Sequence, residues 1–363
     1  MANKKRIAFL LSIITERGGI GRVTSLISDQ LNNIENFEIH IISYAKKGPT
    51  SYGWNDEIPY HYLLENQTSM KKGIFKASKR LRNILAFNKI DILISCGQIV
   101  GPLGVLSTVF NKTKLIYWSH TSFKGASKKQ FRMFNEHITA TFSTTLITLT
   151  KADEENYSKE TLAKRVVQIY NPIDAKLEKQ SKMFLPNTNK IISVGRLSFE
   201  KNFEDIIDIA KIVKMKYPNL KWHIYGSGEH KKTLEQRIEE KGVKDIVILM
   251  GQSNKLYELY NDYSLMVMTS RYEGFPMSLL EGLASQLPLI SYDVPTGPNE
   301  IIRENINGYL IEPFNQNEMA NKIIHLLAHP DKMMEFSRNN KKFKTEYSLK
   351  NIINKWEETL MQN

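Results

Sequence analysis

Cysteine and long apolar runs are scarce in this sequence. Its 363 residues include one cysteine, Cys96, which excludes an intramolecular disulfide framework. No apolar run reaches the roughly 18 residues that a membrane-spanning helix requires. The apolar run near the N-terminus is too short and too soon interrupted for a signal peptide. We therefore expect a cytoplasmic protein without a membrane span.

Acidic residues are few in the first half of the chain. Residues 1–175 hold 24 Lys and Arg against 14 Asp and Glu, whereas the remainder holds 26 against 24. Within the basic half, Lys71–Arg82 interleaves cationic and apolar side chains at helical spacing, which predicts a basic amphipathic helix. Peripheral contact with an anionic membrane is one interpretation of this helix, and a solvated helix face is the other. Nucleic acid is not expected as a partner, because zinc-ligand spacings and the aromatic signature of an RNA-binding sheet are missing.

Short β-branched runs alternate with longer amphipathic stretches along the chain. This rhythm is typical of parallel α/β domains, and it occurs twice. The break falls at 171–189, a stretch with two prolines and no clear strand. We expect two doubly wound Rossmann-like domains facing across a cleft, over residues 1–170 and 171–346, and a last helix over 347–363. Ligands of such sheets bind at the carboxyl ends of the strands.

The strongest motif directly follows the predicted strand at 264–270. Glu273 and Gly274 are expected on a loop, and Phe275 leads to Pro276, which suits the first position of a helix because proline lacks the amide proton. The first turn of that helix then offers free backbone amides and a partial positive charge. Such a helix start binds a phosphate or the oxygens of a sugar.

Two carboxylates flank this loop. Glu273 can accept hydrogen bonds from sugar hydroxyls, and Glu281, two turns into the helix, can accept from both hydroxyls of a ribose. The alternative for Glu281 is a capping box with Ser278. The order of strand, loop, Gly-Phe-Pro and helix favours the binding role.

A second motif follows the first strand of the second domain. Arg196 provides a planar two-pronged donor and Lys201 provides a point charge five positions later. The pair suits the oxygens of a diphosphate and the negative charge that develops when it leaves. A solvated surface pair is the alternative.

Weaker signals stand at three other predicted strand ends. Gly19 and Gly21 can bring backbone amides close to a phosphate, although such a turn is often only a turn. The segment Gly226–Gly228 is equally ambiguous. His120 can donate to a sugar hydroxyl or to a leaving group, and a structural histidine is its alternative.

These motifs together resemble family 4 of the retaining glycosyltransferases, which have the GT-B fold. The resemblance covers nearly the whole chain. Its matching segments are the Glu-x7-Glu motif Glu273–Glu281, the diphosphate motif Gly195–Asn202, the glycine loop Gly18–Gly21, the hinge entry Asn171–Asp174 and the base-recognition stretch Gly251–Asn254. In that last stretch, the resemblance implies contacts of Gln252 and Ser253 with the nucleobase, mostly through backbone groups.

The resemblance implies transfer of a hexose from a UDP-sugar to a cell-surface polysaccharide, a glycolipid or a lipid-linked oligosaccharide. Short stretches such as Tyr52–Trp54 and Thr296–Pro298 are similar to bacterial envelope galactosyltransferases, including the lipopolysaccharide 1,6-galactosyltransferase type. UDP-galactose is therefore the first choice of donor, with UDP-glucose and UDP-N-acetylglucosamine as alternatives.

The sequence contains no Asp-x-Asp triplet, the usual means of holding a divalent metal on a sugar nucleotide. We therefore expect no metal and no cofactor, with Arg196 and Lys201 supplying the electrostatic stabilisation. No carboxylate pair suggests itself for a double displacement. Front-face transfer is expected instead, with Glu273 holding the donor sugar and His120 near the donor hexose.

Two hypotheses from other classes stay open. A sugar-nucleotide 2-epimerase shares the two-domain architecture, but it should carry carboxylate acid and base groups in place of the Glu-Gly-Phe-Pro loop. A non-catalytic binder of a membrane surface or of nucleic acid would account for the basic first half. It would leave Arg196, Lys201, Glu273 and Glu281 unexplained.

Overall fold

The computed structural model describes residues 4–14, 18–46, 53–65, 69–126, 130–180 and 183–363. Tyr52 lies outside the described residues, as does the side chain of Lys71, so the sequence predictions that include them stand untested there. The chain divides into two compact units: one comprises residues 1–172 and 350–363, and the other comprises residues 173–349.

Strands and helices alternate in both units. The strands are β1 (Lys5–Leu11), β2 (Phe37–Ala45), β3 (Tyr60–Leu64), β4 (Ile92–Cys96), β5 (Lys114–Trp118), β6 (Thr145–Thr148), β7 (Val166–Gln168), β8 (Lys190–Val194), β9 (Lys221–Tyr225), β10 (Val247–Gly251), β11 (Leu265–Met268), β12 (Leu289–Tyr292) and β13 (Gly308–Ile311). The helices are α1 (Gly19–Asn32), α2 (Met70–Phe87), α3 (Gly101–Thr108), α4 (Phe123–Ala126), α5 (Gln130–Phe142), α6 (Lys151–Glu160), α7 (Ala175–Gln180), α8 (Phe203–Lys214), α9 (Lys231–Glu240), α10 (Leu256–Leu259), α11 (Met277–Ala284), α12 (Pro298–Ile301), α13 (Gln316–Ala328), α14 (Pro330–Phe343) and α15 (Leu349–Met361).

The first unit is built on a parallel sheet with the strand order β3-β2-β1-β4-β5-β6-β7. Its central strand β1 is fully buried from Ile7 to Leu10, as expected for a parallel strand covered by helices on both faces. Ile7 pairs with Ile39 of β2 on one side and with Ile92 of β4 on the other. All strands run in the same direction, so the loops after their carboxyl ends gather at one edge.

The last helix, α15, packs on the core of the first unit. Its buried Trp356 lies with its ring centroid 4.7 Å from Trp118 and 6.2 Å from Phe9. The Lys5 ammonium donates to the carbonyl of Leu360 at 2.9 Å. This apolar face, with Ile352, Ile353 and Leu360 also buried, fixes α15 against the sheet that carries β1 and β5.

The second unit is built on a parallel sheet with the order β10-β9-β8-β11-β12-β13. The predicted fold class of two doubly wound Rossmann-like α/β domains is confirmed. Two edge strands were not predicted from the sequence, namely β3, which begins with Tyr-His-Tyr, and β13, which begins with a glycine. In the described part of the chain, no helix combines the length and the hydropathy needed to cross a bilayer.

Candidate active site

Glu273 lies on the loop between β11 and α11, and its carboxylate is held by two donors. The Lys201 ammonium donates to Oε1, and the Ser270 hydroxyl donates to the same oxygen at 2.6 Å. The Glu273 side chain is 10% exposed and that of Lys201 is 20% exposed, so the pair is largely shielded from water. One predicted pair of site residues is therefore in direct contact.

The turn that carries Lys201 is fastened to the end of β11. Asn202 has a positive φ of 50°, a conformation that asparagine tolerates better than most residues. The Thr269 hydroxyl contacts the carbonyls of Lys201 at 3.2 Å and Asn202 at 3.0 Å. The Arg271 guanidinium donates to the Asn202 side-chain oxygen at 2.6 Å, and the Arg271 amide donates to the Glu200 carbonyl at 2.8 Å. These bonds fix the position from which Lys201 reaches Glu273.

Arg196 is exposed on the loop that follows β8. Two glycines after β9 approach this loop so closely that no side chain fits at either position. A Cβ atom at Gly226 would lie 1.8 Å from the Gly195 carbonyl oxygen, and one at Gly228 would lie 2.2 Å from that of Leu197. The ambiguous segment Gly226–Gly228 thus has a packing reason for its glycines: it supports the loop that presents Arg196.

Glu281 is 5% exposed inside α11 and accepts a hydrogen bond from the hydroxyl of the fully buried Tyr260. The capping-box alternative fails, because Ser278 lies inside the helix and the N-cap residue is Pro276. The sequence predicted that Pro276 is the first helical residue. In the structure, Pro276 is the N-cap and α11 begins at Met277. Glu281 is therefore a buried carboxylate fixed by a tyrosine.

The loop between Glu273 and Pro276 is supported from the end of β12. The Thr296 hydroxyl donates to the Glu273 carbonyl at 2.5 Å. Gly297 has a positive φ of 98°, and a Cβ atom there would lie 2.7 Å from the Pro276 ring. Phe275 is buried and its ring centroid lies 5.9 Å from that of Tyr347. Phe275 thus anchors the loop, while Gly274 is only partly buried.

The predicted base-recognition residues follow β10. Gln252 is exposed, and the partly buried Ser253 accepts a hydrogen bond from the Lys255 amide at 3.1 Å. Gly251 has a positive φ of 73°, and its carbonyl accepts from the Gly226 amide at 2.8 Å. Because β10, β9, β8 and β11 are parallel neighbours, the carboxyl ends that carry the predicted base, diphosphate and sugar contacts lie along one edge of one sheet.

The remaining predicted residues belong to the first unit. Gly19 is exposed at the start of α1, where a Cβ atom would meet nothing within 4 Å, and Gly21 is buried in the first turn of the same helix. The first intrahelical acceptor is Gly18, bonded by the Arg22 amide, so the amides of residues 19–21 are not used within the helix. They remain predicted phosphate contacts.

His120 follows β5 and lies 4.2 Å from Trp118 between ring centroids. Burial lowers the pKa of His120 to about 3, so the imidazole is neutral at physiological pH. Its buried Nε2 atom has no hydrogen-bond partner within the described ranges. A neutral imidazole can donate or accept a hydrogen bond, which agrees with the predicted contact to a hydroxyl and excludes a role as a resident cation.

Sequence reasoning missed the residues that orient the candidate site. These are Tyr260 beside Glu281, Ser270 beside Glu273, Thr296 under the loop, and Arg271 beside Asn202. Ser270 and Arg271 border the recognised motif, but Tyr260 and Thr296 are remote in sequence and only folding brings them close. Among the described residues, no group of three or more His, Cys, Asp or Glu side chains is arranged to hold a metal ion.

Residues 174–343 match the family model described as glycosyl transferases group 1. The chain is 28% identical to the amylovoran biosynthesis glycosyltransferase AmsD of Erwinia amylovora over 98% of this chain and 99% of that protein. It is also 28% identical to the poly(ribitol-phosphate) alpha-N-acetylglucosaminyltransferase of Staphylococcus aureus, over 89% of this chain and 67% of that protein.

Solved structures show the same architecture. Anabaena HepE in complex with UDP and glucose aligns with a TM-score of 0.83 at 18% identity, over 99% of this chain and 100% of that one. The predicted resemblance to glycosyltransferases with the GT-B fold is confirmed.

Proposed function

We propose that this chain, which carries a group 1 glycosyltransferase domain over residues 174–343, transfers a hexose from a UDP-sugar to a glycan or lipid-linked acceptor of the cell envelope. The observation that carries the proposal is the Lys201–Glu273 pair at the carboxyl edge of the second sheet, on the loop that leads into the helix of the buried Glu281. Radiolabelled UDP-hexose turnover on purified protein, with envelope glycans as acceptors, tests it.

Each part of the donor has a matching group in the second unit. The buried carboxylate of Glu281 suits the two ribose hydroxyls, since both are donors and an ionised carboxylate only accepts. Arg196 and Lys201 suit the diphosphate, and Glu273 with the Gly274 backbone suits the hexose hydroxyls. The hydrogen bonds from Lys201 and Ser270 orient the Glu273 carboxylate before the sugar binds. This lowers the entropic cost of ordering that side chain on binding.

We propose front-face transfer as the chemical step. The acceptor hydroxyl oxygen bonds to the anomeric carbon on the face from which UDP departs, and the bond between that carbon and the diphosphate oxygen breaks. The acceptor's proton passes to the departing diphosphate. Lys201 and Arg196 stabilise the negative charge that builds on that leaving group. The configuration at the anomeric carbon is then retained, as in family 4.

UDP-galactose is the proposed donor, with UDP-glucose and UDP-N-acetylglucosamine as the alternatives. Thermal shift with the three donors ranks them on one protein sample. A ligand at 100 times its dissociation constant adds about 2.7 kcal/mol to the free energy of unfolding. The names of the similar proteins mention different sugars, so sequence similarity does not identify the donor. The thermal-shift ranking would identify it.

Glu281→Gln is expected to weaken UDP binding and to remove discrimination for the ribose. The parent should bind UDP roughly 10- to 100-fold more tightly than 2′-deoxy-UDP, because a hydroxyl bonded to an ionised group contributes about 1.5–3 kcal/mol. The variant should bind the two nucleotides nearly equally. Isothermal titration calorimetry with both ligands measures this difference, and Tyr260→Phe should give an intermediate result because the glutamate loses one donor. Equal discrimination in parent and Glu281→Gln would remove Glu281 from the ribose site.

Transfer activity is expected to persist in excess EDTA. The Arg196 and Lys201 charges take the electrostatic role that a divalent cation has beside a diphosphate. The measurement is the initial rate of hexose transfer with EDTA, with EDTA plus excess Mg²⁺, and with EDTA plus excess Mn²⁺. Loss of activity with chelator and its recovery with either ion would contradict the metal-independent mechanism.

A further inference from the structure

A lysine-lined cavity of about 680 Å³ lies at the amino edge of the first sheet. Its walls include the first residues of three central strands, Lys5 of β1, Ile92 of β4 and Lys114 of β5. Gly19 and His120 follow the carboxyl ends of β1 and β5, so they belong to the opposite edge of the same sheet. The cavity is therefore separate from every predicted contact to the sugar nucleotide in this unit.

The cavity holds more positive charge than its own residues neutralise. The Lys5 ammonium donates to the carbonyl of Leu360, and the Lys114 ammonium donates to a main-chain oxygen of Asn363. The acidic residue in the wall, Asp91, has one carboxylate oxygen occupied by the Arg6 amide at 2.8 Å. Three further lysines of the wall have neither an ion pair nor a side-chain hydrogen bond within the described residues, namely Lys4, Lys89 and Lys112. Such a cavity is suited to a phosphate group.

The sequence around the cavity shows the same imbalance on a larger scale. Residues 66–135 contain thirteen Lys and Arg and one acidic residue, Asp91. The outward side of α2 exposes Lys72, Lys76 and Lys79, so a continuous basic face leads along the helix towards the cavity. An anionic partner of extended area fits this distribution better than a small soluble anion does.

Two exposed phenylalanines are next in sequence to residues of the cavity wall. Phe87 is 87% exposed and adjoins Ala86 of the wall, while Phe110 is fully exposed and adjoins Asn111. Phe110 also has a positive φ of 65°, which is unfavourable for a bulky side chain. The ring makes no packing contribution that would offset this strain, so its exposure points to a partner outside the chain. Apolar rings beside a basic surface are typical of proteins that lie on anionic bilayers.

We propose that this edge of the first unit binds an anionic membrane, with a phospholipid phosphate headgroup in the lysine cavity and with Phe87 and Phe110 among the lipid chains. The α2 face adds electrostatic attraction along the bilayer surface. This site is independent of the transfer reaction, because none of its residues contributes to the proposed sugar-nucleotide site. It gives the sequence-predicted membrane helix a specific headgroup pocket.

The decisive variant removes charge from the cavity without straining the chain. Lys89 has a positive φ of 50°, so Lys89→Asn is combined with Lys112→Glu, since asparagine tolerates that conformation. The matched control is Lys211→Gln with Lys216→Glu, which makes the same charge change on exposed residues of the second unit. Binding is measured by co-sedimentation with phosphatidylcholine vesicles, with and without phosphatidylglycerol. The cavity variant should bind phosphatidylglycerol vesicles roughly tenfold more weakly or worse, whereas the control binds like the parent.

Two further variants measure the contributions of Phe110 and of the α2 lysines to vesicle binding, separately from that of the cavity. Phe110→Asn should weaken vesicle binding while the melting temperature stays level or rises, whereas loss of a packing residue would lower it. Replacing Lys72, Lys76 and Lys79 with Glu should weaken vesicle binding and leave UDP affinity unchanged. The proposal is overturned if the cavity variant binds phosphatidylglycerol vesicles like the parent. It is equally overturned if inorganic phosphate stabilises the parent against heat and the vesicles do not bind, because the ligand is then a soluble anion.

Discussion

Glu273→Gln is expected to lower kcat for hexose transfer by about 100-fold or more and to leave the affinity for UDP within about threefold of the parent's. Glutamine keeps the size of the side chain and an oxygen that can accept from Lys201 and Ser270. It loses the negative charge with which the carboxylate holds the hexose hydroxyls. Since the hexose is absent from UDP, nucleotide binding should be nearly unchanged.

The design of this test separates sugar recognition from folding. Steady-state kinetics with labelled UDP-hexose give kcat and KM, and calorimetry gives the affinity for UDP. Glu312→Gln, an exposed carboxylate directly after β13 on the same sheet, is the matched control and should behave like the parent. A Glu273→Gln enzyme with parental kcat would remove Glu273 from the catalytic site. A variant that loses UDP affinity as strongly as kcat would instead indicate that the loop itself has been displaced.

The fold could be predicted from the sequence where strands are central and buried. Ile7–Leu10 of β1 is continuously apolar and Leu289–Tyr292 of β12 is continuously buried, because helices cover both faces of the sheet. The edge strands β3 and β13 escaped prediction. Strand β3 begins with Tyr-His-Tyr, whose side chains are only partly buried, and β13 begins with a glycine, so neither shows a long apolar run.

The candidate site could be predicted only where its residues are close in sequence. Glu273, Gly274 and Glu281 belong to one continuous motif, and its order of strand, loop and helix is visible in the letters. The hydrogen-bond partner of Glu281 could not be predicted in this way. Tyr260 precedes Glu281 by 21 residues, and the Tyr260 hydroxyl reaches the Glu281 carboxylate only after β11 and α11 have formed. Contacts of this kind depend on the sheet order, which local spacing does not reveal.

Two ambiguities were decided by backbone geometry. The capping-box interpretation required Ser278 at the N-cap of α11, whereas the N-cap is Pro276, two residues earlier. In the sequence, the glycines of Gly226–Gly228 were consistent with a turn that approaches a phosphate and with a turn alone. Their reason is the 1.8 Å and 2.2 Å approach to the Arg196 loop, a contact between β8 and β9 that no single segment encodes.

Lys201→Met is expected to lower kcat by about 100- to 1000-fold while weakening UDP-sugar binding by less than about tenfold. The charge on the departing diphosphate grows as its bond to the sugar breaks, so the ammonium contributes more in the transition state than in the bound donor. Methionine suits the test because the Lys201 stem packs on the backbone: its Cγ and Cδ atoms lie 3.3 Å from the position of a Cβ atom at Gly195. An alanine at 201 would lose that packing together with the charge.

Because Lys201 forms an ion pair with Glu273, the effect of Lys201→Met includes any effect on Glu273. In Lys201→Met, the Glu273 carboxylate, which is 10% exposed, keeps the Ser270 hydroxyl as a donor and loses the Lys201 ammonium. Part of the decrease in kcat could therefore come from a displaced Glu273 side chain. The Lys201→Met, Glu273→Gln double variant measures that share, because residues acting as a unit give losses smaller than the product of the single effects. Lys211→Met on the exposed side of α8 controls for the substitution itself and should keep the parental kcat. An unchanged kcat in Lys201→Met with weaker donor binding alone would show that Lys201 holds the ground-state diphosphate and does not stabilise its departure.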